Sequence, residues 1–571
     1  MSETRPIIRG TTGCVTSSNY FATAAGFEIL LAGGNAFDVA AAVGLALHVV
    51  EPHMNGIGGE APALLYSAKD RKVFAVSGQG TAPKRATLQF FRQNGIDMIP
   101  GDGFLPATVP ASFGVWITLL TRFGTMSLRQ VIAPAIRLAE QGFPIYPTLQ
   151  RSIQANARLY LKHWPTTAKI YLPKRRVPDI GQLLVQRDLA YTMRKLATAE
   201  KLAGKKRKLG LQAAKDYFYS GPIAKRIVNF TSNNPTLDAT GKRHTGLIDL
   251  EDFADYETRV EKPVKIVFKG LTVHKCGPWS QGPVFLQQLR LLEAYDLTKM
   301  GHNSSDYIHL VTEASKLAFA DRERFYGDPL YANVPLNKLL SQDYAKERRK
   351  LIDMKKASLD LRPGALPRSQ KNAPIFHGDT THLDVVDSQG NMVSVTPSGG
   401  WTYSSPVIEG LGFPLGTRGQ MFSLEDGHPN CIAAGKRPRT TLTPTLVTKN
   451  GKPLMAFGTP GGDQQDQWTL QFFLNFVEFG MNLQASIDAP TFHTCHFPSS
   501  FYPHDAQPGV LYLEGRISES VRNDLKRRGH RVIVEGDWVN GRVTAVHCDW
   551  ERKLLSAVAS PRYQTPYALG V

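Results

Sequence analysis

Asp379-Thr380-Thr381-His382-Leu383-Asp384-Val385-Val386 is the segment on which the interpretation of this chain depends. It places two threonines at the start of an apolar, β-branched run that is typical of a buried strand. A hairpin-turn signal follows at Asp387-Ser-Gln-Gly-Asn391, and residues 392–396 predict the partner strand. A polar loop therefore leads into the first strand of a strand-rich C-terminal third.

Thr380 gains chemical meaning if the bond between Asp379 and Thr380 is cut. The threonine would then carry a hydroxyl and a free α-amine on the same residue. An α-amine has a pKa of about 8, so at neutral pH a useful fraction is unprotonated and accepts the hydroxyl proton. Nucleophile and base would stand on one residue, which predicts acyl transfer from an amide through an ester on Thr380.

Such chemistry also needs donors for an oxyanion, and the pair Gly461-Gly462 before a predicted helix at 468–479 supplies a candidate. Residues without side chains let backbone N–H groups approach a ligand closely. The alternative is a phosphate-binding loop. The run Gly458-Thr-Pro-Gly-Gly-Asp463 lacks the Lys-Ser/Thr pair of a P-loop and has an acid where phosphate would bind. The oxyanion role is favoured.

The composition is that of an ordinary globular protein. Of 571 residues, 42% are hydrophobic and 20% are charged, which excludes wholesale disorder and collagen-like fibres. Neither a membrane span nor a secretory signal is visible, so a cytoplasmic protein is expected. The five cysteines are scattered and form no CxxC motif, which argues against a disulfide framework or zinc cage. His493 and His496 lack further ligands at metal spacing, so a packed loop is favoured there.

Positive charge is concentrated in one segment. The chain carries a formal +18, and residues 151–230 hold 18 Lys or Arg against four Asp or Glu. This segment could bind nucleic acid or an anionic membrane, or it could be a solvated, mostly helical excursion. No stacking aromatics alternate with its basic residues, as single-strand binding would require. The solvated excursion is favoured, and nucleic acid is not an expected partner.

Helices and strands alternate in the rest of the chain, and the strand signals are densest towards the C-terminus. This mixture predicts an α+β body, or a layered αββα arrangement. Pro134 is expected to break or kink one of the helices. The helices are predicted at 19–32, 38–50, 127–141 and 303–326, and further strands at 63–66, 442–448, 453–457, 531–534 and 543–547.

Several dispersed motifs, taken together, resemble the γ-glutamyltransferase (glutathione hydrolase) family of N-terminal-nucleophile hydrolases. They are Gly34-Asn-Ala-Phe-Asp38, Asn55-Gly-Ile-Gly-Gly59, Gly277-Pro-Trp-Ser-Gln-Gly282, Ala320-Asp-Arg322, Thr380-Thr-His382 and Pro460-Gly-Gly462. The resemblance implies a four-layer αββα sandwich without metal or cofactor. It makes Thr380 the nucleophile of a precursor that cuts itself into a large chain, 1–379, and a small chain, 380–571, which stay associated.

The positions that correspond to the family's reaction machinery are retained. Ser398 matches a threonine that supports the nucleophile's amine and keeps its hydroxyl. Gln420 is unchanged in the family's Gln-Met pair. Thr440 and Thr441 match two serines, keeping the hydroxyls but changing the shape.

The positions that recognise the amino-acid end of a γ-glutamyl group are altered. Gln79 stands where the family has an arginine that clamps the substrate α-carboxylate, and glutamine offers no cationic fork. Gly400 replaces an asparagine, and Phe422-Ser423 replaces an acidic pair that holds the substrate ammonium. Arg418 could provide another carboxylate partner or could be a surface loop charge, and the sequence leaves both open.

A small-molecule amide whose acyl group is not a standard γ-glutamyl is therefore the expected substrate, with water or an amine as acceptor. In this respect the chain resembles the cephalosporin-acylase-like and oxamate-amidohydrolase-like members more than true γ-glutamyltransferases. A genuine glutathione hydrolase is the first alternative. A non-catalytic scaffold with a basic, anion-binding patch is the second.

Overall fold

Two seven-stranded antiparallel sheets form the centre of the computed structural model, which describes residues 3–362 and 379–571. The first sheet runs in the order Ile8–Gly10, Leu554–Ala559, Thr544–Asp549, Lys452–Gly458, Thr445–Lys449, Leu271–Lys275 and Val264–Phe268. The second runs in the order Tyr567–Gly570, Gly13–Ser17, Leu383–Asp387, Met392–Val395, Ala63–Ser67, Lys72–Val76 and Val260–Glu261.

Smaller sheets and the helices surround these two sheets. Phe492–Thr494, Val510–Glu514 and Arg531–Glu535 form a three-stranded sheet, and Phe143–Pro144 pairs with Leu183–Leu184 and Thr236–Leu237 with Arg243–His244. The α-helices are Tyr20–Leu31, Ala36–Val50, Leu88–Gln93, Ser112–Arg122, Leu128–Gln141, Pro147–His163, Pro165–Tyr171, Arg187–Leu202, Arg207–Tyr219, Pro222–Asn233, Leu250–Ala254, Gly282–Leu292, Leu297–Met300, Ser305–Phe325, Leu336–Leu339, Gln342–Arg349, Gln465–Val477, Leu483–Asp488 and Glu519–Arg527. Within the described ranges, none of these helices combines the length and apolarity that crossing a bilayer requires.

Three apolar cores separate four layers. The core between the sheets joins inward residues of both, among them Val386 of the second sheet and Val546 of the first. A second core packs Val385 against the helix Ala36–Val50, on the other face of the same strand. A third packs the first sheet against the helices Gly282–Leu292, Ser305–Phe325 and Gln465–Val477. Because each strand alternates its side chains between two faces, both sheets are covered on both sides. The predicted αββα sandwich is confirmed.

The predicted hairpin forms in the second sheet. Leu383–Asp387 pairs antiparallel with Met392–Val395, in the register Leu383 opposite Val395. The Asp387 carboxylate closes the turn by accepting from the backbone N–H groups of Gln389 and Asn391, both at 3.0 Å. Turn chemistry and strand pattern thus agree, which fixes the register of the residues that precede Leu383.

Pro134 does not break its helix, so of the two expected effects, a break or a kink, the break is wrong. Leu128–Gln141 continues through the proline. The helix begins with a capping box between Ser127 and Gln130, and its buried face contributes Val131 and Ile132 to the core over the second sheet. Burial of this face outweighs the one backbone hydrogen bond that a proline removes.

The basic segment is mostly helical, but it is not an appendage. Its helices contribute Tyr160, Trp164, Met193 and Phe218 to the core that covers the second sheet. Most Lys and Arg side chains of these helices are exposed, as expected for amphipathic helices on a surface layer. The excess charge is therefore carried on part of the α-layer itself.

Candidate active site

Thr380 lies beside the second sheet, directly opposite Ser398. The two residues form an isolated antiparallel bridge that continues the hairpin register towards the N-terminus of its first strand. Both side chains are fully buried. The Thr380 Oγ1 atom lies 3.2 Å from the Ser398 Oγ atom. The sequence pattern of the hairpin therefore places the predicted nucleophile next to its predicted supporting hydroxyl.

Two donors hold the carbonyl of the bond that precedes Thr380. The Asp379 carbonyl oxygen accepts from Ser398 Oγ at 2.9 Å and from Trp401 Nε1 at 2.6 Å. The indole N–H is shared with the Met54 carbonyl oxygen, at 2.9 Å. Since Ser398 has one hydroxyl proton and directs it to Asp379, the Thr380 hydroxyl is left to donate to Ser398. Two donors on one carbonyl oxygen polarise that carbonyl towards nucleophilic attack.

Arg418 is buried against this pair, with 1% of its surface exposed, so its interpretation as a surface loop charge is wrong. Its guanidinium forms a buried ion pair with Glu60 and donates to Ser398 Oγ at 2.7 Å. The guanidinium also lies over the rings of Trp401 and Phe501, 5.2 and 5.7 Å from their centroids. The carboxylate that Arg418 meets in this structure belongs to the protein itself. A role for Arg418 in binding substrate stays a prediction.

The Gly461-Gly462 pair forms a tight turn that only glycine fits. Both residues have positive φ, 126° and 56°, and a Cβ atom on Gly461 would lie 2.2 Å from the Trp468 ring. Within the described residues, neither backbone N–H donates to another group. The turn connects to the nucleophile through Arg542, whose N–H donates to Thr459 at 2.8 Å and whose side chain donates to the Thr380 carbonyl at 3.3 Å.

A buried polar network anchors the same turn. Gln281 Nε2 lies 3.5 Å from the Gly462 carbonyl oxygen, and its Oε1 accepts from Arg322 at 3.0 Å. Arg322 is also ion-paired with Asp463, which accepts from Ser500. The arginine of the Ala-Asp-Arg motif thus holds the glycine turn in place over a long sequence distance.

Gln79 and Thr441 are buried without hydrogen-bond partners among the described residues. Gln79 is 1% exposed, and both its amide nitrogen and its amide oxygen are unpaired. Thr441 is fully buried and its hydroxyl is unpaired. Buried polar groups in folded proteins are nearly always hydrogen-bonded, so groups like these are candidates for contact with a ligand.

Gln420, Ser423 and Thr440 have partners within the protein. The Gln420 amide donates to the Gly101 carbonyl at 3.0 Å and accepts from the backbone N–H of Tyr502 at 3.1 Å. The Ser423 hydroxyl accepts from the backbone N–H of Glu425, and Thr440 Oγ1 from that of Leu442. Backbone bonds join Thr440 to Trp279 and Gln281 rather than to Thr380. Direct contact with substrate stays a prediction for all three.

His382 and His493 have partners within the protein that indicate structural roles. His382 lies two residues past Thr380, and its ring is bonded to Thr396 at 2.9 Å and to Asp384 at 3.0 Å. His493 stacks on Tyr512. Within the two described ranges, one group of side chains has metal-like proximity, namely His309, Glu313 and His530. Its Glu313 is already ion-paired with Lys316 and Arg362.

Sequence patterns missed three residues of this site. Glu60 follows the Gly58-Gly59 pair, and its backbone pairs with Ser398 in an isolated bridge. Trp401 follows a second glycine pair, three residues after Ser398. For Glu60 and Trp401, the sequence signal that could have identified them is their position directly after a pair of glycines. Arg542 carried none, because its proximity to Thr380 arises only from the fold.

A four-layer αββα sandwich, with a buried threonine hydroxyl next to a polarised peptide carbonyl, defines an N-terminal-nucleophile hydrolase. The family model described as gamma-glutamyltranspeptidase matches residues 22–569. The chain belongs to that family, and it is an amidohydrolase or acylase of this class.

Relatives cover the whole chain. The glutathione hydrolase-like YwrD proenzyme of Bacillus subtilis (strain 168) is 33% identical over 97% of each chain. The structure of LmbA2991HD superposes with a TM-score of 0.95 at 44% identity, covering 100% of both chains. Cephalosporin acylase from Bacillus halodurans superposes with a TM-score of 0.86 at 30% identity, covering 100% of this chain and 98% of that one.

Proposed function

We propose that this protein cuts itself between Asp379 and Thr380 and then hydrolyses a small amide through an acyl ester on Thr380. The observation that carries the proposal is the pair of donors on the Asp379 carbonyl oxygen, Ser398 and Trp401, next to the Thr380 hydroxyl. The residues 1–379 and 380–571 would become the large and small chains of one enzyme.

Self-cleavage is an N-to-O acyl shift. Thr380 Oγ1 attacks the Asp379 carbonyl carbon, the C–N bond breaks, and the hydroxyl proton ends on the departing nitrogen. Water then hydrolyses the ester between Asp379 and Thr380. Ser398 and Trp401 stabilise the oxyanion of this step, and Arg418 positions Ser398 because it donates to that oxygen.

Turnover reuses the same hydroxyl with a new base. The freed amine of Thr380 removes the hydroxyl proton while Oγ1 attacks the substrate carbonyl, and later returns a proton to the leaving amine. Gly461 and Gly462 supply backbone N–H groups for the substrate oxyanion, which their unpaired donors support. The acyl ester is released to water or to an amine.

The substrate is proposed to lack a standard γ-glutamyl group. Gln79 stands where the family's arginine clamps an α-carboxylate, and its buried amide suits a neutral polar group. Phe422 is buried in an apolar cluster where an acidic residue would hold the substrate ammonium. The alternative of glutathione hydrolysis draws support from the name of the Bacillus subtilis relative.

One preparation of the wild-type protein tests both halves of the proposal. We expect the intact-mass spectrum to give two chains, the smaller beginning at Thr380. Turnover of γ-glutamyl-p-nitroanilide should be about 30-fold less efficient than that of the best anilide with a non-amino-acid acyl group, because a charge-assisted pair is missing. A single intact chain would refute self-cleavage, whereas efficient γ-glutamyl turnover would favour the glutathione hydrolase.

The basic segment is proposed to play no part in catalysis, in contrast to a scaffold function. Lys205, Lys206 and Lys208 are exposed, whereas Arg207 donates to the carbonyls of Leu120 and Met126 and belongs to the fold. A Lys205→Gln/Lys206→Gln/Lys208→Gln variant should keep kcat/KM within about twofold, since exposed charges this remote are screened by salt. Anilide kinetics at two salt concentrations measure this, and a loss above tenfold would assign the segment a role in catalysis.

A further inference from the structure

The turn between two helices of the basic segment exposes two leucines among lysines. The helix Arg187–Leu202 ends at this turn, and the helix Arg207–Tyr219 follows it. Leu202 is 81% exposed and Leu209 is 56% exposed. Residues 201–209, which we call the basic tip, therefore present apolar and cationic side chains together. The exposed basic residues of the tip are Lys201, Lys205, Lys206 and Lys208.

The basic tip projects from the body of the molecule. Gly204 has a φ of 91°, and a Cβ atom at this position would have no neighbour within 4 Å. Below the turn the two helices approach closely, since a Cβ atom on Gly210 would lie 2.8 Å from the Glu200 side chain. The turn is thus the outer end of a tightly packed helical hairpin, and Leu202 and Leu209 flank it.

Two charged side chains fix this hairpin to the neighbouring helices. Glu200 accepts from the first two backbone N–H groups of the helix Leu128–Gln141, at 2.6 and 2.7 Å. Arg207 donates to the carbonyls of Leu120 and Met126, at 2.9 and 3.3 Å. Because the tip is held in place before a partner binds, binding costs less conformational entropy.

The positive charge of the basic tip is not compensated by ion pairs. Within the described ranges, no lysine of the tip lies within ion-pair distance of a carboxylate, whereas Arg194 of the same hairpin pairs with Glu140. Glu200 is the one acid between residues 196 and 211, and it is buried and bonded to the backbone. Arg122 and Arg129 are exposed next to the two attachment points and add to the charge.

A surface that joins lysines and exposed leucines has two candidate partners, an anionic membrane and a nucleic acid. Lysine is attracted to the phosphate groups of both. Leucine gains free energy by entering the acyl region of a bilayer, whereas single-stranded nucleic acid is bound by aromatic rings that stack on its bases. The tip has two leucines and no aromatic residue. These observations favour the membrane.

We propose that the basic tip docks this protein onto the surface of an anionic lipid bilayer. Leu202 and Leu209 enter the boundary between headgroups and acyl chains, and the four lysines lie against the anionic headgroups. The protein then lies on the membrane surface, as interfacial amphipathic segments do. Docking does not involve the reaction at Thr380, so this proposal stands or fails separately from the proposed function.

Co-sedimentation of the full chain with lipid vesicles tests the proposal. Vesicles of phosphatidylcholine and phosphatidylserine, mixed about 3:1, are compared with pure phosphatidylcholine vesicles at about 0.1 M salt. We expect binding to the mixed vesicles to be about 100-fold stronger, since each basic residue at an anionic surface contributes about a fivefold factor. Raising the salt to about 0.5 M should remove most of this difference.

A lysine variant tests the electrostatic part of the docking. Lys205→Gln/Lys206→Gln should bind the mixed vesicles about 20-fold more weakly than wild type, because two of the headgroup contacts are lost. Lys355→Gln/Lys356→Gln removes two neighbouring exposed lysines outside the tip and is the matched control. The control variant should bind as tightly as wild type.

A leucine variant tests the apolar part. Leu202→Gln/Leu209→Gln should bind the mixed vesicles about tenfold more weakly, because leucine side chains no longer enter the acyl boundary. Leu330→Gln/Leu351→Gln, at leucines that are 57% and 41% exposed, is the control and should bind as wild type does. All four variants should melt within about 2 °C of wild type, since exposed positions contribute little to stability.

The same variants distinguish a membrane from a nucleic acid. Fluorescence anisotropy measures binding of a labelled DNA oligonucleotide, and we expect it to be weaker than binding to the mixed vesicles. Tighter binding of the oligonucleotide, with no effect of Leu202→Gln/Leu209→Gln on either partner, would assign the tip to nucleic acid and overturn the proposal. Equal binding of wild type to both kinds of vesicle, or unchanged binding in Lys205→Gln/Lys206→Gln, would overturn it as well.

Discussion

We expect Thr380→Ala to stay a single full-length chain without measurable amidase activity, whereas wild type and Thr380→Ser should separate into two chains. The alanine variant lacks the oxygen that attacks the Asp379 carbonyl, so the N-to-O acyl shift has no nucleophile. Loss of a nucleophile reduces a rate by at least about 10⁴-fold. Serine keeps a primary hydroxyl in the same place, 3.2 Å from Ser398 in the parent geometry. Intact-mass spectrometry of the three proteins reads out both the cut and its position.

The matched control is Thr448→Ala, which removes another buried threonine hydroxyl. Thr448 bonds to His274 of the neighbouring strand in the first sheet, at 3.1 Å. This variant should still separate at Asp379–Thr380. Processing of Thr380→Ala, or a small chain of wild type that begins at another residue, would contradict the assignment of the nucleophile.

Local sequence patterns were sufficient to predict the nucleophile's strand, whereas the four layers were implied by the family resemblance. The alternation in Leu383–Asp387, the turn at Asp387 and the run in Met392–Val395 all specify one hairpin, and the structure has it. Each of these signals lies within a few residues, where backbone geometry alone decides the outcome. For the same reason the register could be extended back to Thr380 and Ser398.

The surroundings of Arg418 and Arg542 depend on long-range packing, which local sequence patterns do not predict. Arg418 stands in a glycine-rich stretch of the sequence, and a lone charged residue in such a stretch does not indicate whether it is buried. Glu60, more than 300 residues earlier, decides the matter by pairing with it. Arg542 reaches Thr380 because the strand Thr544–Asp549 pairs with Lys452–Gly458. Such pairings depend on the topology of the whole sheet, which no local pattern specifies.

Pro134 illustrates the opposite kind of error. The local rule was correct about the lost hydrogen bond, yet the helix Leu128–Gln141 continues. Its apolar face is buried in the core of the α-layer, and tertiary burial provides most of a helix's stability. The free energy lost with one backbone hydrogen bond at Pro134 is smaller than the free energy gained by burying the helix's apolar face.

Trp401→Phe should slow self-cleavage by about 10²-fold while the chain still folds. The indole N–H donates to the Asp379 carbonyl oxygen at 2.6 Å, and phenylalanine keeps an aromatic ring but no donor. Removing one oxyanion donor typically lowers a rate by about 10²–10³-fold. Cell-free synthesis, quenched at intervals and resolved on gels, measures the rate of chain separation. Ser398→Ala removes the other donor and should slow cleavage by a similar factor.

The effect of Trp401→Phe on stability can be measured apart from its effect on self-cleavage, because the Thr380→Ala variant is expected to stay uncut. In a Thr380→Ala background neither form is cut, so melting temperatures with and without Trp401→Phe compare stability alone. We expect these to be close, since the ring still packs with Met421 and Phe501. Trp538→Phe, at an indole that is 38% exposed, is the matched control and should cleave at the wild-type rate. Wild-type cleavage in Trp401→Phe would leave Ser398 as the principal donor and would remove the indole from the mechanism.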